Sequence, residues 1–194
     1  MDLLFKDYID NDKFEEAKNS IDRCYQNSPN IGITVSVYYH NMHLIEYALY
    51  KRNFRIFEYL AKYTDINEPN YNGSSLLYHV IYMWGLGLTP DILNVLLKYT
   101  NSIDAKYGPW ETSLNKYVSL FKHEYISNEE RLGRFKSNII LFLNHGTDPN
   151  IKDGFGFSIT SRVVSWDNIE LLQLFIDHSK TDIKPAVLYI AINL

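Results

Sequence analysis

The sequence predicts an all-α fold: a helical repeat solenoid of about four to five helix-turn-helix units, with a lengthened helix in the fourth. Three observations predict it. Four segments, Phe54 to Asn67, Asp91 to Asp104, Asn138 to Asn150 and Glu170 to Ile183, each read as a short amphipathic helix, a polar turn and an exit rich in Asn and Asp. Each is preceded by a second helical segment: Leu44 to Tyr50, Leu76 to Met83, Ser113 to Leu120 and Ser158 to Ser165. Equivalent turn positions, Thr64, Thr100, Gly146 and Ser179, are spaced 36, 46 and 33 residues apart. A helix pair of this size cannot bury its apolar faces alone and must stack on its neighbours.

Each element has a local cause. Ile92, Val95, Leu96 and Tyr99 recur at helical spacing and predict one buried stripe. Thr89-Pro90 opens that helix as a hydroxyl N-cap followed by proline at the first helical position. Ala48 and Val80 take the small position where first helices approach closely. Asn72-Gly73 suits a turn that needs positive φ, and Gly146 a left-handed helix C-cap. The long third interval is an insertion over about Phe121 to Lys136. Within it, Ser127-Asn-Glu-Glu130 reads as a capping box. One long helix follows from Glu129 to Asn144, with Leu132, Phe135, Ile139 and Phe142 on one side. Leu3 to Ile21 reads as a weaker first unit. Residues 24–41 fit the period poorly: Ser28-Pro29-Asn30 breaks the chain, and Ile31, Ile33, Val35 and Val37 then alternate as in a strand. A loop with some extended structure is expected there, an extra helix being the alternative. The organisation is therefore an N-terminal capping repeat and loop over 1–41 and a repeat array over 42–194, in a single continuous domain. The array closes on Ala186 to Leu194, an apolar segment with no second helix after it, as expected of a chain cropped from a longer protein or of a compact cap.

The chain has 194 residues, 46% hydrophobic and 22% charged, with a net charge of −4. That hydrophobic content suffices for one domain or one array. The charge gives no general attraction to phosphate backbones or anionic membranes. Cys24 is the only cysteine, so neither a disulfide framework nor a cysteine-based metal site is expected, which fits a reducing, cytoplasmic location. The first residues lack a basic segment followed by an apolar run, and no apolar stretch approaches the roughly 18 residues that span a bilayer. Neither a secretory signal nor a membrane anchor is expected.

The repeats carry a family resemblance. Asn72-Gly73-Ser-Ser-Leu-Leu77-Tyr78 and Trp110-Glu-Thr112-Ser-Leu114-Asn115 resemble the turn and T-P-L-H-x-A opening of the ankyrin repeat. His145-Gly146-Thr-Asp148-Pro-Asn150 resembles its G-A-D-x-N ending, and Lys62-Tyr-Thr-Asp-Ile-Asn67 resembles it with one residue missing. The period, about 33 residues, also agrees. The resemblance covers roughly residues 42 to 184. The chain departs from the pattern in lacking the T-P dipeptide, in placing Glu46, Tyr78, Asn115 and Ser161 where histidine is usual, and in having Thr160 where leucine is expected.

No catalytic constellation can be assembled. The six histidines, His40, His43, His79, His123, His145 and His178, include one pair three apart and one His-Glu fragment, without cysteines or an H-E-x-x-H motif, so structural or surface roles are expected. Gly154-Phe-Gly156 and Gly85-Leu-Gly87 lack the context of a phosphate-binding loop and read as turns. Glu129-Glu130 fits the N-terminal charge bias of a helix. Arg131, Arg134 and Lys136 make only a small basic spot. The expectation is a non-enzyme without cofactor, metal, nucleic acid or small-molecule substrate.

The resemblance implies a protein-protein interaction module that binds through turn tips and the exposed side of each first helix. Those positions are Tyr47 and Tyr50; Tyr71, His79 and Tyr82; Tyr107, Trp110, Glu111 and Lys116; and Phe155, Phe157, Arg162 and Trp166. Tyrosine, tryptophan and arginine are enriched at interface hot spots, although tyrosine is common in this chain and some of these rings could simply pack between units. Degenerate units rich in Tyr, Asn and Ile, with insertions between helices, resemble poxvirus ankyrin proteins, which implies sequestration or inhibition of a host factor. The alternative is a bacterial immunity or inhibitor protein that blocks a toxin enzyme.

Overall fold

The structure, a computed structural model, describes residues 2–27, 34–37, 40–69, 73–107, 111–121, 128–166 and 168–178. Those residues hold ten α-helices and two small antiparallel hairpins. The expectations for Ser28-Pro29-Asn30, Ile31, Ile33, Tyr71, Asn72, Trp110, His123, Ser127, Ser179 and 186–194 lie outside them.

The helices come in pairs: α1 (Asp2–Asp10) with α2 (Phe14–Asn27), α3 (Leu44–Tyr50) with α4 (Phe54–Ala61), α5 (Leu76–Trp84) with α6 (Pro90–Tyr99), α7 (Ser113–Ser119) with α8 (Glu129–Asn144), and α9 (Ile159–Ser165) with α10 (Ile169–His178). The chain divides into two compact units, residues 1–66 and 67–194. In the first unit α1 packs on α3 and α2 on α4. In the second, α5 packs on α7, α6 on α8 and α8 on α10. First helices thus meet first helices, and second helices meet second helices. The apolar faces explain the arrangement: Ile56, Phe57, Leu60 and Ala61 of α4, and Leu171, Leu172, Leu174 and Phe175 of α10, are buried.

Capping starts these helices. The hydroxyls of Ser75, Thr112 and Ser158 accept from the backbone N–H of Tyr78, Asn115 and Ser161, each at 3.2 Å. A cap of this kind stabilises a helix by about 1 kcal/mol. Asn53 and Asn168 do the same for the second helices, accepting from Ile56 at 3.2 Å and Leu171 at 2.9 Å. Two expectations are corrected here. Thr89 stands at the N-cap of α6, but its side chain makes no capping bond, and Pro90 with its fixed φ begins that helix. The cap of α8 is Asn128, which accepts from Glu130 at 2.8 Å and Arg131 at 3.3 Å.

The long helix α8 has the expected bounds and buries Phe135, Ile139 and Phe142, while Leu132 is half-buried. Asn138 is buried on the same face, its Nδ2 donating to Leu88 O and to the Tyr117 hydroxyl at 2.8 Å each. The stripe on α6 is rotated from expectation: Ile92 and Leu96 are buried with Leu93 and Leu97, whereas Val95 and Tyr99 are half-buried. Residues Cys24 to Asn27 belong to α2, and a hairpin of β1 (Thr34–Val37) and β2 (His40–His43) follows. Gly73 and Gly146 adopt φ of +74° and +89°.

Hydrogen bonds between successive helix pairs join residues at similar separations in the chain. In the second unit Asn67 Oδ1 accepts from the Asn101 and Ser102 N–H groups, 34 and 35 residues away, and Tyr78 donates to Glu111, 33 residues away. Asn115 donates to Ile151 O across 36 residues, and Lys136 pairs with Glu170 across 34. The bond from Asp148 N–H to Asp104 Oδ2 spans 44 residues because the insertion lies between them. In the first unit Tyr47 to Asp10 and Tyr59 to Asp22 both span 37.

Candidate protein-docking surface

In the first unit the two expected surface tyrosines part. Tyr47 is 1% exposed. Its hydroxyl donates to Asp10 Oδ1 at 2.8 Å. Lys6 and Lys51 reach the same carboxylate at 2.7 and 2.9 Å and lie 5.9 and 5.6 Å from the tyrosine ring. Tyr47 therefore ties α3 to α1 and is withdrawn from the expected exposed strip. Burial works to raise the Asp10 pKa, but bonds from Lys6, Lys51 and Tyr47 outweigh it and hold the carboxyl at about 2. Tyr50, one turn further on, is exposed.

The second unit carries two clusters. In the first, α5 presents Tyr82, 64% exposed, beside exposed Met83 and half-buried His79. Lys116 of α7 sits 5.4 Å from the Tyr82 ring and 3.4 Å from the Glu111 carboxylate. Glu111 also accepts the Tyr78 hydroxyl at 2.9 Å. Burial first, and then this bond, push the Tyr78 hydroxyl well above the ordinary tyrosine range. Glu111 and Thr112 form β4, which pairs with β3 (Lys106–Tyr107). The side chain of Tyr107 and all of Trp110 lie outside the described residues.

The second cluster is the turn before α9. Phe155 is 82% exposed and Phe157 53%. Asp153 closes the turn: its N–H donates to Phe157 O at 2.9 Å, and its Oδ1 accepts from the Phe155 and Phe157 N–H groups at 2.8 and 3.0 Å. Gly156 supplies a φ of +84° between the two rings, a conformation a side chain would strain. Arg162 of α9 donates through Nε to Asp153 Oδ2 at 2.9 Å and through Nη2 to the same oxygen. Its guanidinium lies 5.6 Å from the Phe157 ring. Burial works to raise the Asp153 pKa, but Arg162 and the two N–H donors prevail and lower it. Trp166, at the end of α9, stacks on Phe121 at 6.1 Å and remains partly exposed.

The structure thus joins Tyr82, Glu111 and Lys116 in one cluster and Phe155, Phe157 and Arg162 in another. Sequence reasoning missed Asp153 and Tyr78. An aspartate two residues before an aromatic-Gly-aromatic turn is an Asx-turn signal that could have found Asp153. The reach of Tyr78 to a residue 33 positions away had no local signal. Among the described residues no group of three or more His, Cys, Asp or Glu side chains is placed to share a metal ion, and no helix is long and apolar enough to cross a membrane. No family model, curated protein or solved structure matches the chain.

Proposed function

We propose that the chain is an ankyrin-type helical repeat protein that binds, and thereby sequesters or inhibits, another protein without catalysing a reaction. The repeat reading is supported by first-to-first and second-to-second helix packing in each unit and by bonds at one repeat length. The binding reading is carried by one observation: Phe155 and Phe157 stand in solvent on a turn whose backbone is closed by hydrogen bonds. Exposed phenylalanines gain by being covered, and a closed turn loses little entropy when it meets a partner. Tyr82, with Lys116 beside its ring, offers a second contact of the same chemistry.

The test is affinity capture with mass spectrometry, comparing wild type with a Phe155→Ala/Phe157→Ala variant shown to be folded by circular dichroism. One protein should be enriched by the wild type and lost by the variant. A hot spot of about 2 kcal/mol corresponds to roughly thirtyfold in affinity. The partner's identity would then separate capture of a host factor from inhibition of a toxin. Retention of that partner by the variant would sink the assignment of this surface.

A further inference from the structure

The contact between α2 and α4 gathers three tyrosines around one carboxylate. Tyr25 of α2 and Tyr63, just beyond α4, face each other with ring centroids 4.8 Å apart and planes tilted by 31°. Among the described residues the other tyrosine ring pairs, Tyr59–Tyr63 and Tyr47–Tyr50, lie at 5.4 and 6.5 Å. Asp22 of α2 accepts two hydroxyls at one oxygen: Tyr59 donates to Oδ1 at 2.5 Å and Tyr63 at 3.2 Å. Tyr63 is exposed, whereas Tyr25 and Tyr59 are half-buried. The chemistry of this arrangement is oxidative. A phenol gives up an electron readily when its proton leaves at the same time, and a hydrogen-bonded carboxylate is a ready acceptor for that proton. Tyr63 thus combines access for an outside oxidant, a base on its hydroxyl and a second phenol against its ring.

We propose that Tyr25 and Tyr63 form an oxidative cross-linking site, at which a one-electron oxidant such as a peroxidase intermediate joins the two rings as dityrosine and ties α2 to the end of α4. Each phenol loses one electron to the oxidant and one proton, that of Tyr63 passing to Asp22 and that of Tyr25 to solvent. The two phenoxyl radicals pair their unpaired electrons in a carbon–carbon bond between ring positions next to the hydroxyls. Each of those carbons then releases its hydrogen as a proton, and each oxygen takes one back. Two oxidising equivalents are consumed, and the product is two hydrogen atoms lighter. Proximity selects the partner, because radicals held in contact couple before one on another molecule arrives. The bond closes a loop of about forty residues and so restricts the unfolded chain. The site lies within the first unit and is independent of the docking reading.

The test oxidises the dilute full chain with photogenerated ruthenium(III) tris(bipyridine), persulfate serving as the terminal electron acceptor. The monomer should gain dityrosine fluorescence and lose the mass of two hydrogens, and tandem mass spectrometry of its peptides should place the link between Tyr25 and Tyr63. Tyr25→Phe and Tyr63→Phe, each shown to be folded by circular dichroism, should lose this product, while Tyr50→Phe should form it as the wild type does. Asp22→Asn keeps an acceptor for the two hydroxyls but no base, and should form the same link more slowly. The cross-linked monomer should unfold at a higher urea concentration than the untreated chain. If a phenylalanine variant fails to fold, the mapped link in the wild type carries the result alone. A monomer without dityrosine, or a link mapped to Tyr59–Tyr63 or Tyr47–Tyr50, would overturn the proposal. An unchanged rate in Asp22→Asn would overturn the role given to Asp22.

Discussion

The carboxylate of Asp10 collects one hydroxyl and two ammonium groups from α1, α3 and the end of α3, and that convergence makes its titration a reporter of the first unit. Its pKa of about 2 in the folded chain lies below the ordinary 3.8. The folded state therefore holds this carboxylate charged more firmly than the unfolded chain does. The associated stability is fully present above about pH 4 and is lost as pH falls toward 2. Asp10→Asn should lower the melting temperature at neutral pH and flatten its decline between those values, and equal declines in wild type and variant would contradict the network. Asn138 makes the opposite kind of case, because it is wholly buried and neutral. Asn138→Ala would leave the Leu88 carbonyl, itself buried, without its donor. The expected cost is about 1–3 kcal/mol, read from urea unfolding, and a change below about 0.5 kcal/mol would show that the bond is replaced.

At the scale of elements, two glycines near α8 should respond in opposite senses. Neither has a neighbour within 4 Å of an added Cβ, so backbone conformation alone decides. Gly146 ends the helix at φ +89°, and Gly146→Ala should destabilise by about 1–2 kcal/mol. Gly133 lies inside α8, and Gly133→Ala should stabilise by about 0.5–1 kcal/mol. Thermal melts of the two variants should shift apart, and shifts of the same sign would contradict the assigned helix end. Much at this scale was legible in the sequence. The bounds of α3 and α8 follow from periodicity and flanking turns, and Gly146 from the need for a left-handed cap. Thr89 illustrates a limit: with proline following, the helix starts without its hydroxyl bond. The end of α2 was missed because Ser28-Pro29 marks a break without saying how far the helix runs toward it.

At the scale of the whole molecule, the all-helical class and the pairing of helices were legible, because apolar residues at helical spacing recur in each pair. The surface was legible only in part. Phe155 and Phe157 could be placed on a turn tip, since two rings flanking a glycine between helices have little to pack against. Tyr47 could not be placed by position alone. Its place on the first helix of its pair suggests exposure, while in the fold it is buried with its hydroxyl bonded to Asp10, 37 residues away. Site-specific photo-crosslinking would show whether the tip before α9 meets a protein partner. p-Benzoylphenylalanine would replace Phe155 in one sample and Asn94, exposed on α6, in another. A single covalent adduct with one protein is expected from position 155 and none from position 94. Adducts of equal yield from both positions, or from position 94 alone, would contradict it.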